Sequence, residues 1–565
     1  MNAAAAAASA DSAASAASAA STGTPHTLPT IGADAAVTDA LRQDLTDAGF
    51  TVERVDALWG AEAAASLHRG SRVAALRALA ARDTTPLGTL ATLFVLGLPV
   101  RRVDADAAFA SAGVQSAEAS GLVRVDADSV VPTVDLRPYA FVDDLGAGSW
   151  WIVSDLGELA LGTALGEEHV LGIGGATTTL SGLQVPVPVR RVLDLGTGCG
   201  IQAMHARRFA DEVVATDISR RALDIARFNA QLNGIDGIEF RFGSLFEPVA
   251  GERFDRIVSN PPFVITPRSE GVPAYEYRDG GMVGDALVET VLTGLGEHLE
   301  PGGTAQLLGN WEYHWGTDGL DRVRSWFERA DTDGIGLDAW VIERERQDPT
   351  AYAETWIRDG GTKPGTPEFD RLVGAWLDDF ADRRVTGVGF GYVVVRKPRP
   401  GPTRAGSDAS RSLRSDVAAE PVGRGAAHLR RFERVPETLG SNPAGLGATV
   451  ARVLDAAAWL AAHDDVALAA AHLAVAGDVT EERFYWPGND DPTVMTLVQG
   501  GGLGRRVDAD TALAAFVGAC DGELSVAAIV GALAQITGVD EQVLAADLLP
   551  AARDLVLDGL LVPAA

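Results

Sequence analysis

Cysteine is nearly absent: Cys199 and Cys520 are the only two, far apart in the chain. Neither has a partner at metal-ligand spacing. That argues against a disulfide framework and a zinc site, and the pattern fits a reducing cytoplasm. The nine histidines form no HExxH or HxxxH pattern, so nothing points to metal chemistry. No uninterrupted apolar run reaches the roughly 18–20 residues that a membrane helix needs. The opening MNAAAAAASADSAASAASAASTGT lacks a basic leader and a strongly apolar segment. It reads as an Ala/Ser-rich tail and not as a secretory signal. Excess positive charge is missing as well. A formal net charge of -30 argues against a bulk electrostatic grip on nucleic acid and leaves only a local basic patch for that role.

What is present describes a soluble globular protein, with 47% hydrophobic and 22% charged residues. At 565 residues the chain is too long for one core, and it divides into several domains. Residues 1–32 are the tail. Residues 33–145 contain the helical periodicities LRQDLTDAGF, VERVDALWG and RVAALRALA, a more buried PLGTLATLFVLG, and the alternating LVRVDADSVVPTVDLRPY. Helices followed by a hairpin predict a winged-helix-like, mainly helical domain. Its Asp-rich hairpin suits docking or substrate presentation better than DNA reading. Residues 146–398 alternate strands with helices, which predicts an α/β fold with a mostly parallel sheet covered on both faces. Residues 399–434 are rich in Pro, Gly and Arg and read as a linker. Arg396, Lys397, Arg399, Arg404, Arg411, Arg414, Arg424, Arg430, Arg431 and Arg434 make this the one basic stretch, a solvated tether or an RNA contact. Residues 435–565 predict a second winged-helix-like α+β module, with no cluster of catalytic residue types.

The strongest signal is RRVLDLGTGCGIQ. A buried strand carries Asp194, and Gly196, Gly198 and Gly200 open the next helix. Glycine there permits positive φ and lets backbone amides approach a ligand at a helix N-terminus. EVVATD then ends in Asp217, at the interval where a carboxylate meets ribose hydroxyls. A dinucleotide loop needs a third glycine where this chain has Ile201, so an NAD-dependent oxidoreductase is a poor fit. The D-x-G-x-G-x-G form resembles the class I S-adenosylmethionine (SAM)-dependent methyltransferases, whose core is a Rossmann-like, mostly parallel seven-stranded sheet. That resemblance implies SAM as cofactor. It places Asp194, Gly196, Thr197, Gly198 and Gly200 along the methionine end, and Asp217 on the ribose with Ile218 beside it. Ser244 stands where the family often has an adenine-binding Asp, and Leu245 and Phe246 are expected to wall the adenine. HVLGIGGATTTL is expected to fold over the methionine end, with Thr177 to Thr179 at a helix start. Cys199 reads as a small residue in a tight loop and not as a nucleophile.

The stretch VSNPPFVITPR ends a strand with an amide, two prolines and a ring. At the C-terminal edge of such a sheet, Asn260 Oδ1 and the Pro261 carbonyl can accept both hydrogens of a planar amine. Its lone pair is then tilted toward a methyl donor. Pro261 and Pro262 fix φ and the direction of the carbonyl, and Phe263 offers a face for stacking. The product nitrogen returns its proton to water, so orientation is the main contribution, worth roughly 7–11 kcal/mol of barrier. This NPPF resembles the amino-methyltransferases that modify adenine N6, guanine N2 or the glutamine amide of release factors. Asn260 also borders the cofactor in that resemblance. Arg278, Asp279, Gly280 and Gly281 look like the glutamine-modifying branch, while Asn310 after its strand is similar to the ribosomal-RNA guanine branch. The expected reaction is SAM-dependent N-methylation of a planar exocyclic amino group. The net charge favours a protein acceptor. The Arg-rich linker, Asn310 and the winged-helix flanks favour RNA, and the balance tips to an rRNA or tRNA purine. Release-factor-type glutamine methylation is the alternative, and a SAM-binding regulator without catalysis is the alternative of another class.

Overall fold

The computed structural model describes residues 29–32, 34–162, 165–269, 271–273, 278–330, 336–399 and 429–564. Most of the Ala/Ser tail and Arg404, Arg411, Arg414 and Arg424 lie outside the described residues.

The N-terminal part starts with helices Ala35–Ala48, Val52–Trp59, Ala61–His68 and Val73–Ala80. Their starts are set by side-chain caps where the sequence supplies them: Asp34 accepts from Val37 N and Thr51 from Arg54 N. Helix Pro86–Leu90 follows and runs into a π turn, Ala91–Val95. Strand β1 (Val100–Arg101), helices Arg102–Ala108 and Val114–Ala119, β2 (Val123–Asp126) and β3 (Ser129–Pro132) come next. The sheet order β1-β3-β2, with two helices between β1 and β2, is the arrangement of a winged helix.

The expected division at residue 145 falls at the turn of one hairpin. β4 (Val134–Asp143) and β5 (Gly146–Asp155) pair over their full lengths, Val134 with Asp155 through Asp143 with Gly146. Helix Arg220–Leu232 holds this hairpin by two asparagines. Asn229 accepts from Val153 N and donates to Val153 O, and Asn233 does the same with Trp151. Tyr139, Phe141 and Trp150 pack around His205 on helix Ile201–Arg207. Burial pushes that imidazole down to about 3, so it stays neutral. The hydrophobic core of the N-terminal part accordingly continues into Ile201, Met204, Ile225 and Phe228. No solvated gap separates the two units.

The main sheet comprises β6 (Val189–Leu195), β7 (Ala210–Asp217), β8 (Ile238–Phe242), β9 (Phe254–Ser259), β10 (Leu299–His314), β11 (Asp338–Gln347), β12 (Val385–Arg396) and β13 (Arg430–Arg434). Its order is β13-β11-β12-β10-β9-β6-β7-β8. β8, β7, β6, β9 and β10 are parallel, and β12 is antiparallel to both β10 and β11. The order of strands β6 to β12 belongs to a Rossmann-like methyltransferase core.

An eighth strand joins the expected seven. Arg430–Arg434, assigned by its composition to the linker, pairs in parallel with β11. Its arginines are internal partners. Arg431 pairs with Glu433 and Asp558. Arg434 reaches Asp318, the Tyr313 hydroxyl and the buried Glu343. Arg396 bonds Asp338, and Lys397 donates to Gly296 O and Leu299 O. Between β11 and β12 stand two helices, Pro349–Asp359 and Pro367–Asp382.

The C-terminal part begins with helix Gly447–Ala462, which packs against helix Gly175–Leu183. A Cβ on Gly445 would lie 2.5 Å from Gly182 Cα, so glycine is required at that crossing. β14 (His472–Val475) lies between β18 (Asp521–Ser525) and β19 (Leu561–Pro563), and antiparallel to both. Helices Val526–Thr537 and Glu541–Leu557 join β18 to β19. The central strand here is the first of the three in the chain, whereas in the N-terminal sheet it is the last. A separate meander contains β15 (Val479–Phe484), β16 (Val494–Gln499) and β17 (Arg506–Ala509).

Arg434→Ala would strip Glu343 of a cationic partner while leaving its bonds to Trp311 Nε1 and Tyr313 OH. The expected loss is about 1–3 kcal/mol. Urea unfolding followed by tryptophan fluorescence measures it, against no significant change for Arg399→Ala at an exposed position.

Candidate functional site

Because β6, β7 and β9 run in parallel, their C-terminal ends put the glycine loop, Asp217 and Asn260 on one edge of the sheet. The strands are held there by burial: Val192 to Leu195 and Arg256 to Ser259 are all inaccessible to solvent or nearly so. Ligands bind at this edge of open α/β sheets.

Gly196, Gly198 and Gly200 have φ of 76°, 53° and 86°, a region that glycine adopts without strain. They serve different ends. A Cβ on Gly200 would come within 2.8 Å of Ala226 Cβ, so this glycine lets helix Arg220–Leu232 pack against the loop. A Cβ on Gly196 or Gly198 would meet nothing within 4 Å, so these two border open space. Asp217 closes the loop, accepting from Gly198 N at 2.9 Å and Ser219 N at 2.8 Å. Burial nonetheless raises its pKa above the ordinary carboxylate value. Each carboxylate oxygen retains a lone pair for a hydroxyl donor. Ile218 beside it is 59% exposed, an apolar surface facing out from the same edge.

Asp194 lies beneath the loop. It is fully buried, Oδ2 accepts from the Thr197 hydroxyl at 2.6 Å, and Oδ1 has no partner among the described residues. Burial pushes its pKa up to about 7. Cys199 is buried with its thiol pushed up to about 11, so it remains protonated at neutral pH. Its carbonyl accepts from Asn229 Nδ2, the residue that also clasps the β4–β5 hairpin. Gln202 Nε2 donates to Thr177 O and fixes helix Gly175–Leu183 over the first turn after the loop.

After β8, Ser244 is half-buried, and Leu245 has the unusual φ of +46° for a branched side chain. Such backbone strain persists only where the surroundings enforce it. Phe246 is half-buried. Its ring stacks on His298 at 4.4 Å and fills the space over Gly294, where a Cβ would come within 2.7 Å.

Asn260 follows β9, with Pro261 buried and Pro262 and Phe263 half-buried. Its Oδ1 is buried and has no hydrogen-bond partner among the described residues. The segment beyond is braced by residues that sequence spacing did not reveal. Val264 N donates to Arg278 O, and Ile265 N donates to the hydroxyl of Tyr352 at 2.9 Å. Tyr352, fully buried on helix Pro349–Asp359, also accepts from Asn310 Nδ2 at 2.8 Å. Trp356 from the same helix meets the Phe263 ring edge-on at 6.3 Å. Its carbonyl accepts from Arg278, and Asp279 accepts from the Thr266 hydroxyl at 2.5 Å. Asn310 is therefore a buried support of this segment. No local motif announces Tyr352 or Trp356, because they come from an insertion far along the chain. Their aromatic character on an amphipathic helix was the only available signal.

The space over Gly196 and Gly198 is open, the Asp217 carboxylate lies beside it, and the buried Asn260 oxygen lacks a donor among the described residues. When bound, SAM supplies an electrophilic methyl group on sulfonium.

Tyr352→Phe removes the acceptor for both Ile265 N and Asn310 Nδ2. It should lower kcat about tenfold or more through misorientation while SAM affinity, by calorimetry, stays within about twofold. The Asp194 carboxyl, with its folded pKa above the unfolded value, contributes stability below pH 4 that is lost as pH rises toward 7. Asp194→Asn should therefore gain on the ligand-free wild type across that window, by at most about 4 kcal/mol. Chemical unfolding at pH 4 and pH 7 measures the difference.

Residues 174–314 match the methyltransferase small domain. Residues 47–133 and 451–563 each match a domain of unknown function, DUF7059 and DUF7782. The chain is 41% identical over 132 residues to a release factor glutamine methyltransferase of Xylella fastidiosa, covering 22% of this chain and 48% of that protein. A ribosomal protein uL3 glutamine methyltransferase of Bradyrhizobium diazoefficiens is 36% identical over 140 residues, with 23% and 44% covered. A release factor glutamine methyltransferase of Yersinia pestis is 32% identical over 173 residues, with 28% and 62% covered. The chain thus spans about half the length of these relatives. Its central domain, with this sheet order, glycine loop and NPPF segment, is a class I SAM-dependent methyltransferase domain similar to the glutamine-modifying group.

Proposed function

We propose that this protein transfers a methyl group from SAM to the side-chain amide nitrogen of a glutamine in a protein of the translation apparatus. The observation that carries the reading is the Asn260 oxygen, buried without a donor at the edge where the glycine loop and Asp217 converge. An amide nitrogen is a weak nucleophile because its lone pair is delocalised into the carbonyl. Asn260 Oδ1 and the Pro261 carbonyl would accept its two hydrogens, and the nitrogen would turn its lone pair out of conjugation. Pro261 and Pro262 hold those acceptors in place. The nitrogen loses a proton to water after transfer, so no side chain need act as base.

A protein acceptor is favoured over the RNA base toward which the sequence leaned. The relatives named above act on release factors or a ribosomal protein by their names. Arg396, Arg431 and Arg434, counted toward an RNA-binding stretch, make internal ion pairs. Asn310, which favoured the guanine branch, is buried against Tyr352. The net charge of -30 opposes a polyanionic substrate and suits a basic one.

The test is incubation with methyl-labelled SAM and a lysate lacking the enzyme, followed by separate ribonuclease and protease digestion. Label released by protease and recovered as methylated glutamine is expected; label released by ribonuclease overturns the reading. Asn260→Ala should reduce transfer at least about a hundredfold with SAM affinity nearly unchanged. Asp217→Ala should weaken SAM binding at least tenfold, because each lost charge-assisted hydrogen bond is worth about 1.5–3 kcal/mol. Transfer at the wild-type rate in the first variant would remove Asn260 from the chemistry.

A further inference from the structure

We infer that the β15–β16 hairpin of the C-terminal domain is a docking surface for an arginine- or lysine-rich protein segment. Phe484, Tyr485 and Trp486 are 53%, 51% and 65% exposed, and Val494, paired with Phe484, is 45% exposed. Single exposed apolar residues need no explanation, but here the exposed cross-strand pair Phe484 and Val494 is followed directly by two more exposed rings, Tyr485 and Trp486.

The patch is rigid. Thr493 N bonds Phe484 O at 2.8 Å, and Asn489 N bonds Trp486 O at 3.0 Å. Pro487 and Gly488 are the central residues of that turn, with Gly488 at φ 89°. Proline followed by a positive-φ glycine is the composition of a type II turn. The rings are thus presented on a closed loop, which lowers the ordering cost of binding. β15 is also the edge of its three-stranded sheet, which leaves room for an extended partner segment alongside it.

Charge selects the occupant. Residues 435–565 contain eighteen acidic residues against five arginines and no lysine. On this sheet Arg483 and Arg506 are already paired with Glu481 and Glu482. Asp490 and Asp491 at the loop are exposed and make no ion pair among the described residues. Aromatic faces flanked by free carboxylates attract guanidinium and ammonium groups by cation–π and Coulomb terms together. The same rings could stack on nucleic-acid bases, but that requires a basic groove for the backbone, and this domain is acidic. The inference stands whether or not the central domain transfers methyl groups.

The test is fluorescence anisotropy of the full-length chain with three labelled probes: a ten-residue Arg-Gly repeat, a Glu-Gly repeat and a uridine decamer. Binding of the Arg-Gly peptide alone is expected, weakening as salt rises. Tyr485→Ala and Trp486→Ala, which leave the charge unchanged, should each weaken it at least fivefold. Asp490→Asn with Asp491→Asn should weaken it and flatten the salt dependence. Circular dichroism of each variant should match wild type. Unchanged affinity in both aromatic variants would mean diffuse charge attraction and overturn the proposal. So would no binding of the Arg-Gly peptide, or binding of the uridine decamer that Trp486→Ala abolishes.

Discussion

Of the buried amide oxygens that lack a donor among the described residues, the one on Asn260 stands at the C-terminal edge of the parallel strands, beside the glycine loop. Hiding a polar atom from water without a hydrogen bond costs about 1–3 kcal/mol, and a fold tolerates that only where the surroundings hold the group in place. Around Asn260 they do. The strand before it is inaccessible, the two residues after it are prolines, and the next segment is pinned at Val264 and Ile265 by backbone and tyrosine contacts. In the proposed reaction this oxygen accepts one hydrogen of the incoming amide, and the Pro261 carbonyl accepts the other.

That constraint explains why distant parts of the chain converge on the same edge. The insertion between β11 and β12 supplies Tyr352 and Trp356, so a helix remote in sequence forms the back of the NPPF segment. On the other side, Asn229 joins the glycine loop to the β4–β5 hairpin through Cys199 O and Val153. Movement of the N-terminal part would therefore be felt at the loop. The C-terminal domain is tied in by β13 and by the close glycine crossing at Gly182 and Gly445. The flanking units and the catalytic core form one continuous packing and not beads on a string.

How far the sequence revealed this depended on whether a feature was local. The glycine loop and NPPF are short, their geometry follows from residue type, and both could be read directly. The central strands were legible because each carries a run of buried apolar residues, such as Val192, Leu193 and Leu195 or Ile257 and Val258. β13 was not, because its sequence RRFER looks solvated. Arg431 and Arg434 find carboxylates on Asp558, Asp318 and Glu343, which composition within a window cannot show. The domain division at residue 145 failed for a related reason: a hairpin turn rich in Asp and Gly has the same local signature as a linker.

The most direct measurement is a crystal structure of the full chain with a non-transferable SAM analogue and a glutamine-containing peptide. The glutamine amide nitrogen is expected within about 3 Å of Asn260 Oδ1, with the analogue over Gly196 and Gly198. An analogue bound elsewhere, or an Asn260 oxygen that accepts from a protein N–H while the peptide amide points away, would contradict the account.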